Sequence, residues 1–256
     1  MSELLRASGL SKHFGGLIAV DHVDFAVDEG TATGIIGPNG SGKTTFFNLL
    51  SGFFPPTQGS ISFFGRDITG LPSNQRVRLG MARTFQLVSV FNTMTVWENL
   101  VLSSVRFDQR HTGPGRFMLA TAKNPAITAK CARALSLVGL ENDARKPTSE
   151  LSYGSKRMLE IGIALSLSPK LLLLDEPLSG LSDFEITEVL GTLHRIKKEL
   201  TLVIIEHKLS KIVDLVERLC VLNEGSFICE GKPDRVLSDR AVRECYWGQE
   251  DAVVEA

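Results

Sequence analysis

Residues 37–44 read GPNGSGKT, an instance of G-x-x-x-x-G-K-[ST]. No other stretch constrains the fold so strongly, because this spacing carries chemistry only between a strand and a helix. A β-like run over 31–36 precedes it, and a helix-like run over 44–50 follows. In that setting Gly37, Pro38, Asn39, Gly40, Ser41 and Gly42 are expected to form a loop that turns its backbone N–H groups to phosphate oxygens. The helix N-terminus at Lys43, Thr44 and Thr45 adds a partial positive charge behind them. Lys43 is expected to reach the β- and γ-phosphates, and the Thr44 hydroxyl to reach Mg²⁺. The sequence therefore predicts a site for a nucleoside triphosphate and magnesium.

The rest of the chain supplies a framework for such a loop. Short strands are expected over 4–8, 20–27, 31–36 and 60–64, with helical stretches over 95–104 and 129–138 and a Gly/Pro-bearing loop, HTGPGR, between those two helices. After them, LLLLD at 171–175 is the continuous apolar run of a fully buried parallel strand. A helix follows with Ile186, Val189, Leu190, Leu193 and Ile196 on one face, then a second buried strand over 202–205 and a short helix over 209–216. Strand, helix, strand, helix argues for a parallel sheet covered on both faces, whose ligands bind at the carboxyl ends of strands. Asp175, Glu176 and His207 fall just past such ends. Asp175 is placed to hold Mg²⁺ through a water, and Glu176 to orient the water that attacks the γ-phosphate and accept its proton. Two acids can also simply end a strand; the phosphate loop upstream favours the chemical reading.

Composition narrows the remaining classes. With 256 residues, 43% of them hydrophobic, the chain can bury a full core. A formal net charge of −1 provides no global field for nucleic acid or anionic lipid. Cys131, Cys220, Cys229 and Cys245 form no C-x-x-C pair and read as reduced thiols of a cytosolic protein. The N-terminus shows no secretory h-region, and no apolar stretch approaches the roughly 18–20 residues that span a bilayer. Any membrane task is therefore expected to run through a partner.

The hexapeptide LSYGSK at 151–156 stands immediately before a helix-like run over 157–167. At this point the chain resembles the ATP-binding subunits of ABC transporters, whose signature, usually LSGGQ, lies shortly before the acidic strand. The resemblance extends over nearly the whole chain, with its motifs in the family's order. It implies an α/β P-loop NTPase (RecA-like) core, residues 1–87 and 157–235, with an N-terminal antiparallel β subdomain, an inserted α-helical subdomain at 88–156, and a C-terminal helix and tail at 236–256. It implies that Phe14 stacks on adenine, that Gln86 in RTFQ senses Mg²⁺ and the membrane partner, and that His207 in IIEH hydrogen-bonds the γ-phosphate. Ser152 and the N–H groups around Gly154 would close on the triphosphate bound by a second ATPase subunit, so that ATP holds two chains together. The chain departs from the family's pattern at Tyr153, Ser155 and Ser182, where Gly, Gln and Asp are usual; Ser182 with Glu185 still predicts a capping box.

Within the family the chain looks most like the ATPases of branched-chain amino acid importers. FGGLIAV, RTFQ with MTVWENL, an elongated insertion over 113–130, LSYG with RMLEIG, and VRECYWG carry that likeness. Related branches import urea or short amides, or export lipopolysaccharide. The family implies two membrane permease subunits as partners, a substrate-binding protein acting indirectly, and a peripheral location on the cytoplasmic face of the inner membrane. A permease helix is expected in a groove floored by Val88, Val90, Phe91, Met94 and Trp97. Two other classes fit less well: a GTPase would carry N-K-x-D, which is absent, and a soluble ABC-type ATPase acting on nucleic acid would carry tandem domains or a basic surface.

Overall fold

The computed structural model describes residues 2–86, 89–107 and 124–247. Alternating burial builds its first sheet: Val23, Phe25 and Val27 of β2 (Leu17–Asp28) face inward while Asp24 and Asp28 face out. β2 pairs antiparallel with β1 (Glu3–Phe14), and β1 pairs with β4 (Gln58–Phe63), which pairs with β5 (Arg66–Asp67). β1 is longer than the run expected at 4–8 because register shifts let it bend without ending. At one shift the Ser11 hydroxyl accepts the His22 N–H at 2.9 Å, and His22 takes the left-handed conformation, φ 45°.

Full burial builds the second sheet. β3 (Ala32–Ile36), β7 (Leu171–Asp175) and β8 (Thr201–Ile205) are buried at every residue. The order is β10-β9-β3-β8-β7-β6, with β6 (Met81–Arg83), β7, β8, β3 and β9 (Arg218–Asn223) parallel, and β10 (Ser226–Gly231) an antiparallel edge. Parallel registry brings the carboxyl ends of β3, β7 and β8 to one edge, where Ile35 and Asp175 both lie opposite Ile205. Helix α1 (Lys43–Leu50) leaves that edge. It stops at Ser51 and is followed by Gly52 at φ 71°.

Arg76 in α2 (Ser73–Arg78) closes the far end of α1. It is 1% exposed and donates to Leu49 O at 2.9 Å, Leu50 O at 2.7 Å, Leu71 O at 2.8 Å and Thr69 O at 3.0 Å. Burial pulls its pKa down to about 10, so it stays charged at neutral pH. Arg76→Met should destabilise the fold by about 2–4 kcal/mol, because two buried and two part-buried carbonyls lose one shared donor. Denaturant unfolding measures this, and a loss under ~0.5 kcal/mol would remove the capping role.

α3 (Val96–Phe107), α4 (Pro125–Val138) and α5 (Tyr153–Ser166) pack through Leu100, Val105, Cys131, Ala134, Leu159 and Ile161. Gly162 allows the approach: a Cβ there would lie 3.2 Å from Val138 Cγ2. α5 starts four residues before the run expected at 157–167, because the Ser152 hydroxyl accepts the Ser155 N–H as its N-cap. The boundary expected between 156 and 157 therefore falls inside a helix.

The helix expected over 209–216 is a single turn, α7 (Leu209–Ile212), after α6 (Asp183–Ile196). At the C-terminus two helices stand where one was expected, α8 (Pro233–Ser238) and α9 (Arg240–Trp247), parted by extended backbone at Asp239. Val88, residues 113–123 of the expected elongated insertion, and the tail after 247 lie outside the described residues. No helix among the described residues is long and apolar enough to cross a membrane.

Candidate functional site

The loop after β3 can be built only with glycine at its two ends. A Cβ on Gly37 would lie 2.0 Å from Leu222 O, and one on Gly42, at φ 101°, would lie 2.3 Å from Ala19 O. Lys43 folds back into this loop, its ammonium donating to Gly37 O at 2.7 Å and Pro38 O at 2.8 Å. Burial lowers its pKa, and the carboxylates of Glu176 and Asp175 oppose that shift. Ser41 is buried with its hydroxyl unpartnered among the described residues, a polar group that a ligand oxygen would satisfy. Asn39, Gly40 and Thr44 are exposed, while Pro38 and Thr45 are half-buried.

At the end of β7 the two acids take different partners. Asp175 is buried, and its Oδ2 accepts from the Arg83 guanidinium at 2.7 Å. Glu176 turns into the left-handed region, φ 47°, which separates its side chain from that of Asp175. Its Oε1 lies 2.6 Å from His207 Nε2, and its Oε2 accepts from Gln86 Nε2 at 3.0 Å. Lys43, Asp175, Glu176, Gln86 and His207 thus surround one strand-edge site.

Three supporting residues escape a reading by motif. Buried Glu206 accepts the Leu178 N–H at 2.7 Å and the His207 N–H at 3.1 Å, fixing the backbone that carries the histidine. Desolvation raises its pKa. Arg157 on α5 donates to Gln86 O at 2.8 Å, Phe85 O at 2.8 Å and Glu160 Oε2 at 2.8 Å. Glu160 Oε1 accepts the Phe85 N–H at 3.0 Å, and burial raises its pKa too. The only sequence hint for this pair is two charges at i,i+3 in the helix after LSYGS, a spacing common on solvated faces.

Ser152 and Gly154 form a separate cluster. The Ser152 hydroxyl donates to Ser155 Oγ at 3.1 Å, and Gly154 N–H donates to Glu185 Oε1 at 3.0 Å. Glu185 also completes the capping box with Ser182, so the expected box is present despite the departure there. Phe14 is 46% exposed at the end of β1, edge-on to Phe54 at 5.4 Å with the Lys12 ammonium 5.2 Å from its ring centre. Its ring is available for stacking.

The donors fit a magnesium ion that arrives with a nucleotide. No group of three or more His, Cys, Asp or Glu among the described residues could cage a metal. Mg²⁺ commonly takes one or two protein ligands and completes its shell with waters and phosphates, which matches Thr44, Gln86 and Asp175.

A parallel sheet that brings a Gly-Lys-Thr loop and an acidic strand end to one edge defines a P-loop nucleoside triphosphatase. Residues 20–179 match the ABC transporter family model. The chain is 35% identical over 255 residues to the high-affinity branched-chain amino acid transport ATP-binding protein BraF of Pseudomonas aeruginosa, covering 96% of this chain and 98% of that protein. It is 36% identical over 253 residues to LivG of Salmonella typhimurium, a protein of the same description, with coverage of 96% and 98%. Among solved structures, the ADP conformation of an ATP-binding cassette of an ABC transporter superposes with a TM-score of 0.86 at 32% identity, covering 97% of this chain and all of that one. The chain belongs to the ABC transporter family, as its ATP-binding, ATP-hydrolysing subunit.

Proposed function

We propose that the chain powers import of branched-chain amino acids as one of a pair of ATPase subunits, a homodimer or a heterodimer with a close paralogue, beneath two membrane permease subunits. The pair would sit peripherally on the cytoplasmic face of the inner membrane, with a substrate-binding protein acting indirectly across it. The observation that carries the substrate class is likeness along the whole chain to relatives named for that transport. Uptake of radiolabelled leucine, isoleucine and valine in a deletion strain tests it. Uptake should fall and return with the gene; unchanged uptake of all three, with loss of a urea or amide signal, would move the chain to a different branch.

At the site, Phe14 would stack on adenine while the loop from Gly37 to Thr45 wraps the phosphates. When bound, Mg²⁺ neutralises charge on the β- and γ-phosphates. Glu176 would accept the proton of the attacking water, with His207 and Gln86 fixing its two carboxylate oxygens. Ser152 and Gly154 would leave their partners Ser155 and Glu185 to close on the γ-phosphate held by the opposing subunit. Ser152→Arg should cut turnover by about tenfold or more, since a long cation would fill the closing surface. ATP binding to the single subunit should survive, as calorimetry would show; parent-like turnover in the folded variant would remove this role.

A permease helix would dock in a groove of about 400 Å³ lined by Phe53, Val77, Met81, Phe85, Ile163 and Leu167 among others. This replaces the expected floor. Val90 and Trp97 pack against the main core instead, Phe91 points to solvent, and none of Val90, Phe91, Met94 and Trp97 lines the groove. The net charge of −1 favours no nucleic-acid partner.

A further inference from the structure

Arg83 is a buried, multiply hydrogen-bonded charged side chain near the site that the motifs do not assign. It ends β6, and its side chain is 8% exposed. One guanidinium nitrogen donates to Asp175 Oδ2 at 2.7 Å. The other donates to Asn48 Oδ1 at 2.6 Å and Ser51 Oγ at 2.9 Å, at the far end of the helix that leaves the phosphate loop. Its plane is flanked by Phe47 and Phe85, with ring centres 5.6 and 5.5 Å from Cζ. Arg83, Ser51 and Phe85 also line the 400 Å³ groove. One side chain therefore touches the groove, the phosphate-loop helix and the buried acid.

We propose that Arg83 is a positioning residue that holds Asp175 for the metal, and that packing in the groove reaches the metal site through the Phe85 ring. The inference rests on the docking reading only for the identity of what fills the groove. Asp175 is 2% exposed, and a carboxylate buried that deeply is costly without a paired, hydrogen-bonded cation. Arg83 provides one and occupies Oδ2, leaving Oδ1 for a metal-bound water. A planar fork satisfies Asp175, Asn48 and Ser51 at once; the point charge of a lysine does not. Phe85 connects the two ends. Its ring lies on Arg83 while its backbone is clamped by Arg157 and Glu160, so a change of packing at the ring is felt at the guanidinium.

Mn²⁺ binding to the ADP complex of the isolated full chain, followed by electron paramagnetic resonance, tests both parts without a permease. R83K keeps the buried charge and the fold, and it should weaken Mn²⁺ by about tenfold, the lower range for losing a partner behind a metal ligand. ADP affinity measured in EDTA should stay at the parent value. F85A should weaken Mn²⁺ by about threefold, again with ADP affinity in EDTA unchanged, by loosening the guanidinium. Parent-like Mn²⁺ affinity in R83K would overturn the positioning role, and parent-like affinity in F85A would overturn the link to the groove. Failure of the chain to co-purify with any permease would instead count against the docking reading and leave these affinities interpretable.

Discussion

Glu176→Gln should slow ATP hydrolysis by about 10²–10³-fold while leaving ATP binding near the parent value. The amide keeps the shape of the side chain and its contact with His207, now 2.6 Å from Oε1, but cannot take a proton from water. Its partner at the other oxygen, Gln86 Nε2 at 3.0 Å, would face an amide that can turn to present its carbonyl. Neither contact involves the phosphate loop, so affinity for ATP should be held by Lys43 and the backbone donors. With binding intact and hydrolysis slow, the ATP-closed pair should accumulate. Single-turnover kinetics and light scattering at several protein concentrations check the two halves. Turnover within about threefold of the parent would remove Glu176 as the base. Slow turnover with no change of mass on adding ATP would leave the base in place and count against closure by a second subunit.

The site was legible where its chemistry is written locally. GPNGSGKT, LLLLDE and IIEH each place a functional group beside the apolar run that buries its strand, so one stretch of sequence reports both fold and role. Arg83 with Asp175, and Arg157 with the backbone of Phe85 and Gln86, join residues about seventy to ninety positions apart. No periodicity marks such a pair, and a polar residue in a helix reads by default as solvent-facing. The edges of elements were lost for a similar reason. α5 begins at Tyr153 because of a side-chain cap, and β10 alternates between half-buried and exposed, which weakens its apolar signal. Arg76 shows the cost of that default, as a charge buried to close a helix.

Lys43→Met should lower ATP affinity by about 10²-fold or more, because charge-assisted hydrogen bonds to two phosphates are each worth about 1.5–3 kcal/mol. Within the loop the ammonium donates to Gly37 O and Pro38 O, and burial disfavours its charge, a cost that a bound phosphate would relieve. The apo fold should therefore stay within about 1 kcal/mol of the parent, the lost carbonyl contacts being offset by removal of a buried charge. Calorimetry in EDTA separates the binding loss from any effect on the metal. The same argument fixes a pH dependence. A bound phosphate would raise the Lys43 pKa from its lowered value, so ATP binding should draw a proton as pH climbs through that lowered value. Affinity should be highest below it and fall as pH rises toward the ordinary 10.5. Lys43→Met should flatten this decline, whereas Lys43→Arg, always protonated, should flatten it while retaining charge. ATP affinity at the parent level in Lys43→Met would contradict the phosphate-loop assignment. A decline that persists unchanged in Lys43→Arg would place the titrating group elsewhere.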